Sequence, residues 1–200
     1  MGEPLSEAGL DTLFRTARSY NGYLDKPVSE DQLRQIWDLM KFGPTSANLF
    51  PVRIIWCVSE DAKARLAKLV SGNNNDKVLK APVTAILGME TKFYDHAPRL
   101  FPVADARSWF VDEQGNAGAH AEPTAFRNSS LQGAYFIMAA RAIGLDTGPM
   151  SGFDNAAVDA EFFAGTTIKS NFISTLGYGD PASIFDRLPR PAFEEFTQIA

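Results

Sequence analysis

The sequence predicts an α+β fold, helices packed on a sheet, and three observations carry that prediction. Segments of helical period interleave with short β-rich apolar runs, and the alternation lacks the regular βαβ rhythm of a parallel sheet. One long helical segment is also apolar on nearly every face, as a central helix would be.

The elements follow in chain order. Ser29 to Met40 reads as a helix: Ser29 caps it, Gln32 stands three residues on, and Leu33, Ile36, Trp37 and Met40 form one apolar stripe. Gly43-Pro44 ends it. Arg53 to Val58 is a strand, Ser59 to Val70 a second helix with a serine cap, and Ala81 to Met89, "APVTAILGM", a second buried strand. Lys92 to Asn116 has no period; it gathers Phe93, Tyr94, Phe101, Trp109 and Phe110 around Pro98 and Pro102. An insertion of that length serves as a lid or binding wall, or packs its aromatics on a neighbouring subunit. Glu122 to Ile143 is the longest helix, with Phe126, Leu131, Tyr135, Met138 and Ala142 spread around it and Gly144 as its stop. A helix apolar all round must be buried all round, and in so short a chain a second subunit is the readiest cover. Asn171 to Gly179 is a third strand, and a short helix follows Pro191.

At 200 residues, 45% hydrophobic and 22% charged, the chain is expected to form one domain spanning 1–200, with 92–116 as its insertion. Nineteen Lys and Arg against 24 Asp and Glu leave a net charge of −5, the wrong sign for a protein that grips nucleic-acid phosphates. The single Cys57 forbids an intramolecular disulfide and suits a reducing compartment, so a cytoplasmic protein is expected. Neither a signal peptide nor an apolar run near 20 residues is present, and no membrane partner is expected. The opening "MGEPLS" fits the myristoylation pattern, without the basic patch or second lipid site that stable anchoring needs.

Reactive groups are sparse. His96 and His120 lack Cys or His partners at metal-ligand spacing, so no metal is expected, and Cys57 inside "IIWCV" reads as a small core hydrophobe. "LDTGP", Leu145 to Pro149, carries the Asp-Thr-Gly of aspartic proteases. Here it follows the longest helix of a mixed chain, whereas those loops follow strands in all-β chains.

Five dispersed stretches remain: "ARSYNGYLDKPV", "GPTSANLFP", "SGNNNDKVLKAPV", "GLDTGPMSGFD" and "GYGDPASIFDRLPRPAFEEF". In this order, over Arg18 to Phe196, they resemble the nitroreductase superfamily of homodimeric FMN enzymes. "GPTSAN", "RNSS", "LDTGPMSGFD" and "RLPR" are most similar to its branch of small reductases assigned to malonic semialdehyde in pyrimidine degradation. The resemblance implies a nitroreductase-like sandwich, a central, mostly antiparallel sheet flanked by helices, in an intertwined homodimer with FMN at the interface.

It also implies roles. Arg18 with Ser19, and Arg190, match the phosphate positions, with Arg187 as a further guanidinium able to fork onto phosphate oxygens. Lys77, with Asn74, falls where a donor faces the flavin edge that gathers negative charge on reduction. Asn21 stands where relatives carry a basic residue beside the ribityl chain. Ser151 and Gly152 match the turn that approaches flavin N5, and Pro149-Met150 would brace the blocked ring face. Pro44, Thr45, Ser46 and Asn48 would cross the interface to the partner's FMN, with Phe50 where most relatives have Gln. Catalysis would rest on Lys77, Ser151 and Gly152. The implied activity is ping-pong hydride transfer from NADH or NADPH through FMN to a small aldehyde, malonic semialdehyde giving 3-hydroxypropionate. A broad nitro- or quinone reductase and a non-catalytic flavin-binding protein stay open as alternatives.

Overall fold

The structure is a computed structural model and describes residues 2–200. Four strands form one antiparallel sheet: β1 (Val52–Cys57), β2 (Val83–Glu90), β3 (Asp146–Met150) and β4 (Ile168–Gly177), in the order β1-β2-β4-β3. Ile54 lies opposite Leu87, Ile86 opposite Ile173, and Gly148 opposite Thr175. All of β2 but Glu90 is buried, because helices cover both faces of its apolar run. Ser19 continues the sheet past β3 by a parallel bridge to Thr147, leaving β1 as the free edge among the described residues.

The helices are α1 (Glu7–Leu10), which runs into a π turn at Asp11–Arg15, α2 (Glu30–Met40), α3 (Glu60–Ala67), α4 (Asn74–Lys80), α5 (Ala97–Leu100), α6 (Ala121–Ala142), α7 (Asn155–Phe162) and α8 (Phe193–Phe196). The predicted capping box of α2 forms: Gln32 N–H donates to Ser29 Oγ, and Ser29 N–H donates to Gln32 Oε1. Helix α3 stops at Ala67, short of the predicted Val70, because Val70 is taken up by a bridge to Phe153. Strand β3 is not predicted at all. Its sequence, Asp-Thr-Gly-Pro-Met, has low strand propensity, but at that end of the sheet proline's missing donor is tolerated. Gly148 is required there: a Cβ would sit 2.5 Å from both Thr175 Oγ1 and the Tyr20 carbonyl.

Three clusters form the core. One joins α2, α6 and the sheet through Ile36, Met40, Leu87, Phe136 and Leu176. Another holds Cys57, Leu66, Val78, Ile86 and Ile173, and burial there pushes the Cys57 thiol up to about 11, as fits an inert core residue. The third packs Phe93, Tyr94 and Phe110 against Leu49, Met89 and Ala125. The three aromatics thus pack within their own chain, Phe93 on Phe110 at 4.9 Å between ring centres, instead of on a neighbour. Trp109 stays 55% exposed beside Phe101.

Helix α6 is covered only in part by its own chain. Its inner face is buried, but Phe126, Leu131 and Tyr135 are 54%, 47% and 41% exposed, so one chain does not cover it all round. Among the described residues, no helix is long and apolar enough to cross a membrane, and no group of three His, Cys, Asp or Glu is arranged to hold a metal ion.

Candidate functional site

Two groups of the singled-out residues form two separate sites on the chain. The first runs along the β3 edge. Tyr20 N–H donates to the Thr147 carbonyl at 3.1 Å, which seats Arg18, Ser19 and Asn21 beside β3. Asn21 Nδ2 donates to the Ser183 carbonyl at 3.1 Å, tying this segment to the chain after β4. From there the C-terminal segment returns along the same strip. Arg18 Nη2 donates to the Phe185 carbonyl, and Arg187 Nη2 donates to the Ala17 carbonyl at 3.1 Å. The two guanidiniums are therefore interlocked across neighbouring segments. Arg190 is not joined to them: its Nη1 donates to the Leu188 and Pro189 carbonyls of its own exposed loop.

At its far end β3 delivers Pro149 and Met150 into the Ser151-Gly152 turn. The Gly152 carbonyl accepts from Ser71 N–H at 2.8 Å and from Asn74 Nδ2 at 3.2 Å, so Asn74, at the start of α4, is locked to that turn. A Cβ on Gly152 would fall 2.8 Å from Asn74 Nδ2. Lys77 lies one turn further along α4, half-buried, and among the described residues its ammonium has no ion pair or hydrogen bond. Asp154 caps α7 by accepting from Ala157 N–H. This strip presents donors. The nearest carboxylate in the β3 strand, Asp146, is half-buried and engaged by Gly179 N–H at 2.9 Å; desolvation raises its pKa, while that amide and Arg141 pull the other way. Burial likewise holds the Tyr23 phenol well above its ordinary range.

The second group is the Pro44–Phe50 loop, which enters β1. Ala47, Asn48 and Phe50 all have left-handed backbone, with φ of 49°, 54° and 55°. Each such non-glycine residue costs about 1–2 kcal/mol, so the surrounding structure must impose the shape. Phe50 N–H donates to Thr45 Oγ1 at 3.3 Å, and Asn48 Nδ2 donates to the Leu100 carbonyl of α5 at 2.9 Å. Those bonds occupy part of the capacity of Thr45 and Asn48, while Pro44 and Ser46 remain exposed. Beside this loop, a groove of about 1140 Å³ runs along the free edge of β1 past Trp37, Phe50, Trp56, His96 and Arg99. Within it Arg53 Nη2 lies 2.7 Å from His96 Nε2.

Two residues in contact with the loop were not among the candidates. Asn128 Oδ1 accepts from Ser46 N–H at 2.7 Å, and Gln132 Oε1 accepts from Val52 N–H at 3.0 Å. Both carboxamides are buried on the inner face of α6. Their signal was available: two amide side chains four residues apart, and so on one face of the helix.

With this geometry in view, comparison with known proteins is decisive. The pattern of the nitroreductase family matches residues 14–178. The chain belongs to the nitroreductase family. A Burkholderia lata protein provisionally named NADH dehydrogenase/NAD(P)H nitroreductase is 58% identical over 195 residues, 98% of each chain. A Ralstonia pickettii protein with the same provisional name, HadB, is 59% identical over 192 residues, 96% of this chain and 97% of its own. Among solved structures, the nitroreductase ydfN of Bacillus subtilis superposes with a TM-score of 0.84 at 21% identity, over 98% of this chain and all of that one. A nitroreductase of Exiguobacterium sibiricum, solved in complex with FMN, gives 0.81 at 19% identity over the whole of both chains. These likenesses establish the nitroreductase fold, an α+β sandwich on an antiparallel sheet, as the sequence predicted.

Proposed function

We propose that the protein is an FMN-dependent NAD(P)H oxidoreductase that reduces a small aldehyde, malonic semialdehyde to 3-hydroxypropionate. The observation that carries the cofactor assignment is the donor strip along β3. Arg18, Ser19, Asn21, Asn74 and Lys77 supply donors and no carboxylate, which suits an anionic, phosphate-bearing ligand. The chain's own residues fit FMN in kind: Arg18 and Arg187, interlocked through Ala17 and Phe185, would hold the phosphate, with Ser19 beside them and Arg190 reaching it once its loop turns. Asn21 would lie beside the ribityl chain, and Pro149 and Met150 would back one ring face. Lys77, half-buried and unpaired among the described residues, would stabilise charge gathering on the reduced ring, with Asn74 orienting the Ser151-Gly152 turn. Bound FMN supplies hydride acceptance from NADH or NADPH and hydride donation to the carbonyl substrate.

The functional unit is proposed to be a homodimer. The Pro44–Asn48 loop stands by β1 and the donor strip by β3, at opposite edges of the sheet and about 14 Å apart at three strand spacings. The exposed face of α6, with a groove of about 550 Å³ lined by Pro123, Phe126 and Leu131, needs cover. A two-fold partner placed on that face would cover it and bring one chain's loop to the other's strip. In this arrangement the chain is a single domain, 1–200, and the 92–116 segment, tied to the loop through Asn48 and Leu100, forms a wall over the site. The buried lone cysteine suits a cytoplasmic setting.

Stopped-flow oxidation of the NADH-reduced protein tests the assignment, comparing malonic semialdehyde with a nitroarene and a quinone. Fastest oxidation by the semialdehyde is expected. Fastest oxidation by the nitroarene or quinone gives the second reading, a broad nitro- or quinone reductase, which the names of the relatives favour. A bound flavin that NADH does not bleach would mark a non-catalytic flavin-binding protein.

A further inference from the structure

The strained loop is held from one side by one helix. Asn128 and Gln132 stand four residues apart on the buried face of α6, 4% and 0% exposed. They accept from the two ends of the same seven-residue stretch, Ser46 N–H at 2.7 Å and Val52 N–H at 3.0 Å. Between these points lie all three left-handed non-glycine residues of the described chain, Ala47, Asn48 and Phe50. Asn128 is itself fixed, since its Nδ2 donates to the Thr124 carbonyl at 2.8 Å. Among the described residues, the buried Gln132 Nε2 has no hydrogen-bond partner. An orphaned buried donor is unfavourable by itself, so the residue is better explained by what its other end holds than by its contribution to the core.

We propose that Asn128 is a positioning residue for the flavin site, clamping with Gln132 the 46–52 stretch in the left-handed form that one chain presents to the flavin held by its partner. The inference rests on the FMN reading above and adds to it a residue that need not touch the cofactor. Leu49 packs in the core and Arg53 Nη1 donates to the Phe50 carbonyl at 3.0 Å, so the middle of the loop has its own anchors, while its two ends are bonded to α6 through Asn128 and Gln132. Thr45 Oγ1 bonds within the loop, and Asn48 reaches the 97–100 helix at the surface, so neither anchors it to the core. Without the Ser46 bond, Ala47 and Asn48 beside it are free to relax toward ordinary backbone, which moves the Thr45 and Ser46 hydroxyls.

The test is FMN affinity in holoprotein reconstituted from tagged chains. Asn128→Leu is expected to weaken FMN binding about tenfold, the scale of one well-made hydrogen bond. Asn128→Asp, which keeps an acceptor for Ser46, should recover part of that loss; Asn128→Ala gives the same readout should the leucine variant not fold. The discriminating arm is a mixed dimer of an Asn128→Leu chain with an Arg18→Ala chain. If the clamp acts in trans, both defects fall in one site, and the other site combines an intact Arg18 strip with an intact loop. Such dimers would then bind one FMN per dimer with wild-type affinity. Mixed dimers with two weakened sites would overturn the proposal, as would an Asn128→Leu protein that binds FMN like the wild type. A wild-type protein that binds no FMN would fail the functional reading itself, a result distinct from either.

Discussion

Along the β3 edge the backbone is settled by its own hydrogen bonds: Tyr20 to Thr147, Ser71 to Gly152, and the bridge of Ser19. At the entrance to β1 the backbone is left-handed at three residues and is held by the Asn128 side chain of α6, by the Leu100 carbonyl of α5 that accepts from Asn48, and by buried Leu49. The first region spends its backbone on architecture, and its guanidiniums, Arg18 and Arg187, keep N–H donors beyond the one each gives to a neighbouring carbonyl. In the second, backbone and side chains are both engaged in keeping one conformation. The difference teaches where function and fold can be separated. A side chain removed from the β3 strip should cost ligand and little stability, whereas a change in the loop alters stability and ligand together.

Four substitutions sharpen or break that contrast. On the proposed FMN reading, Arg18→Ala removes one charge-assisted phosphate contact of about 1.5–3 kcal/mol, so FMN binding should weaken about tenfold or more, with only a small change in melting temperature from the lost bond to the Phe185 carbonyl. Fluorescence titration and a thermal scan check both halves. Gly148→Ala attacks the architecture of the same strip, driving a methyl into Thr175 and the Tyr20 carbonyl. It should destabilise by about 1–3 kcal/mol, seen as a drop of about 2–4 °C per kcal/mol in a chain of this size.

Lys77→Met removes a cation that has no carboxylate partner among the described residues. The reduced flavin should lose about 1–2 kcal/mol of stabilisation, lowering the midpoint potential by about 20–45 mV for two electrons. Dye equilibration measures it, and equal potentials would remove Lys77 from the site. The smallest effect belongs to Ala47→Gly. Glycine relieves the left-handed strain but gains freedom in the unfolded chain, so stability should change by about 1 kcal/mol or less while FMN affinity falls. A thermal scan paired with titration would expose a loop that plays no part in binding, because affinity would then stay constant.

Much of this was legible in the chain. Ser29 and Gln32 announce a capping box that forms as written, and the apolar runs of β1, β2 and β4 need only burial to become strands. Strand β3 was hidden because Gly148 and Pro149 read as a turn; pairing with β4, not propensity, makes it a strand. The apolar faces of α6 were legible, but periodicity reports which faces are apolar and not what covers them. Arg18, Ser19 and Asn21, and Asn74 with Ser151 and Gly152, were expected by resemblance to serve one flavin site; the Ser19–Thr147 bridge and the Asn74–Gly152 hydrogen bond set the two groups at the two ends of β3. Arg190 was placed with Arg18 by resemblance, yet its hydrogen bonds stay in its own loop. Asn128 was quoted only as part of a motif, since a buried amide reveals its partner only when the loop packed on it is seen.

The central claim is that the site is completed by two chains, and sedimentation monitored at the flavin absorbance tests it most directly. The account predicts that the yellow colour travels at twice the chain mass of 21.9 kDa, with one FMN per chain. Flavin sedimenting with a single 21.9 kDa chain, or a colourless monomer that cannot be reconstituted with FMN, would contradict it.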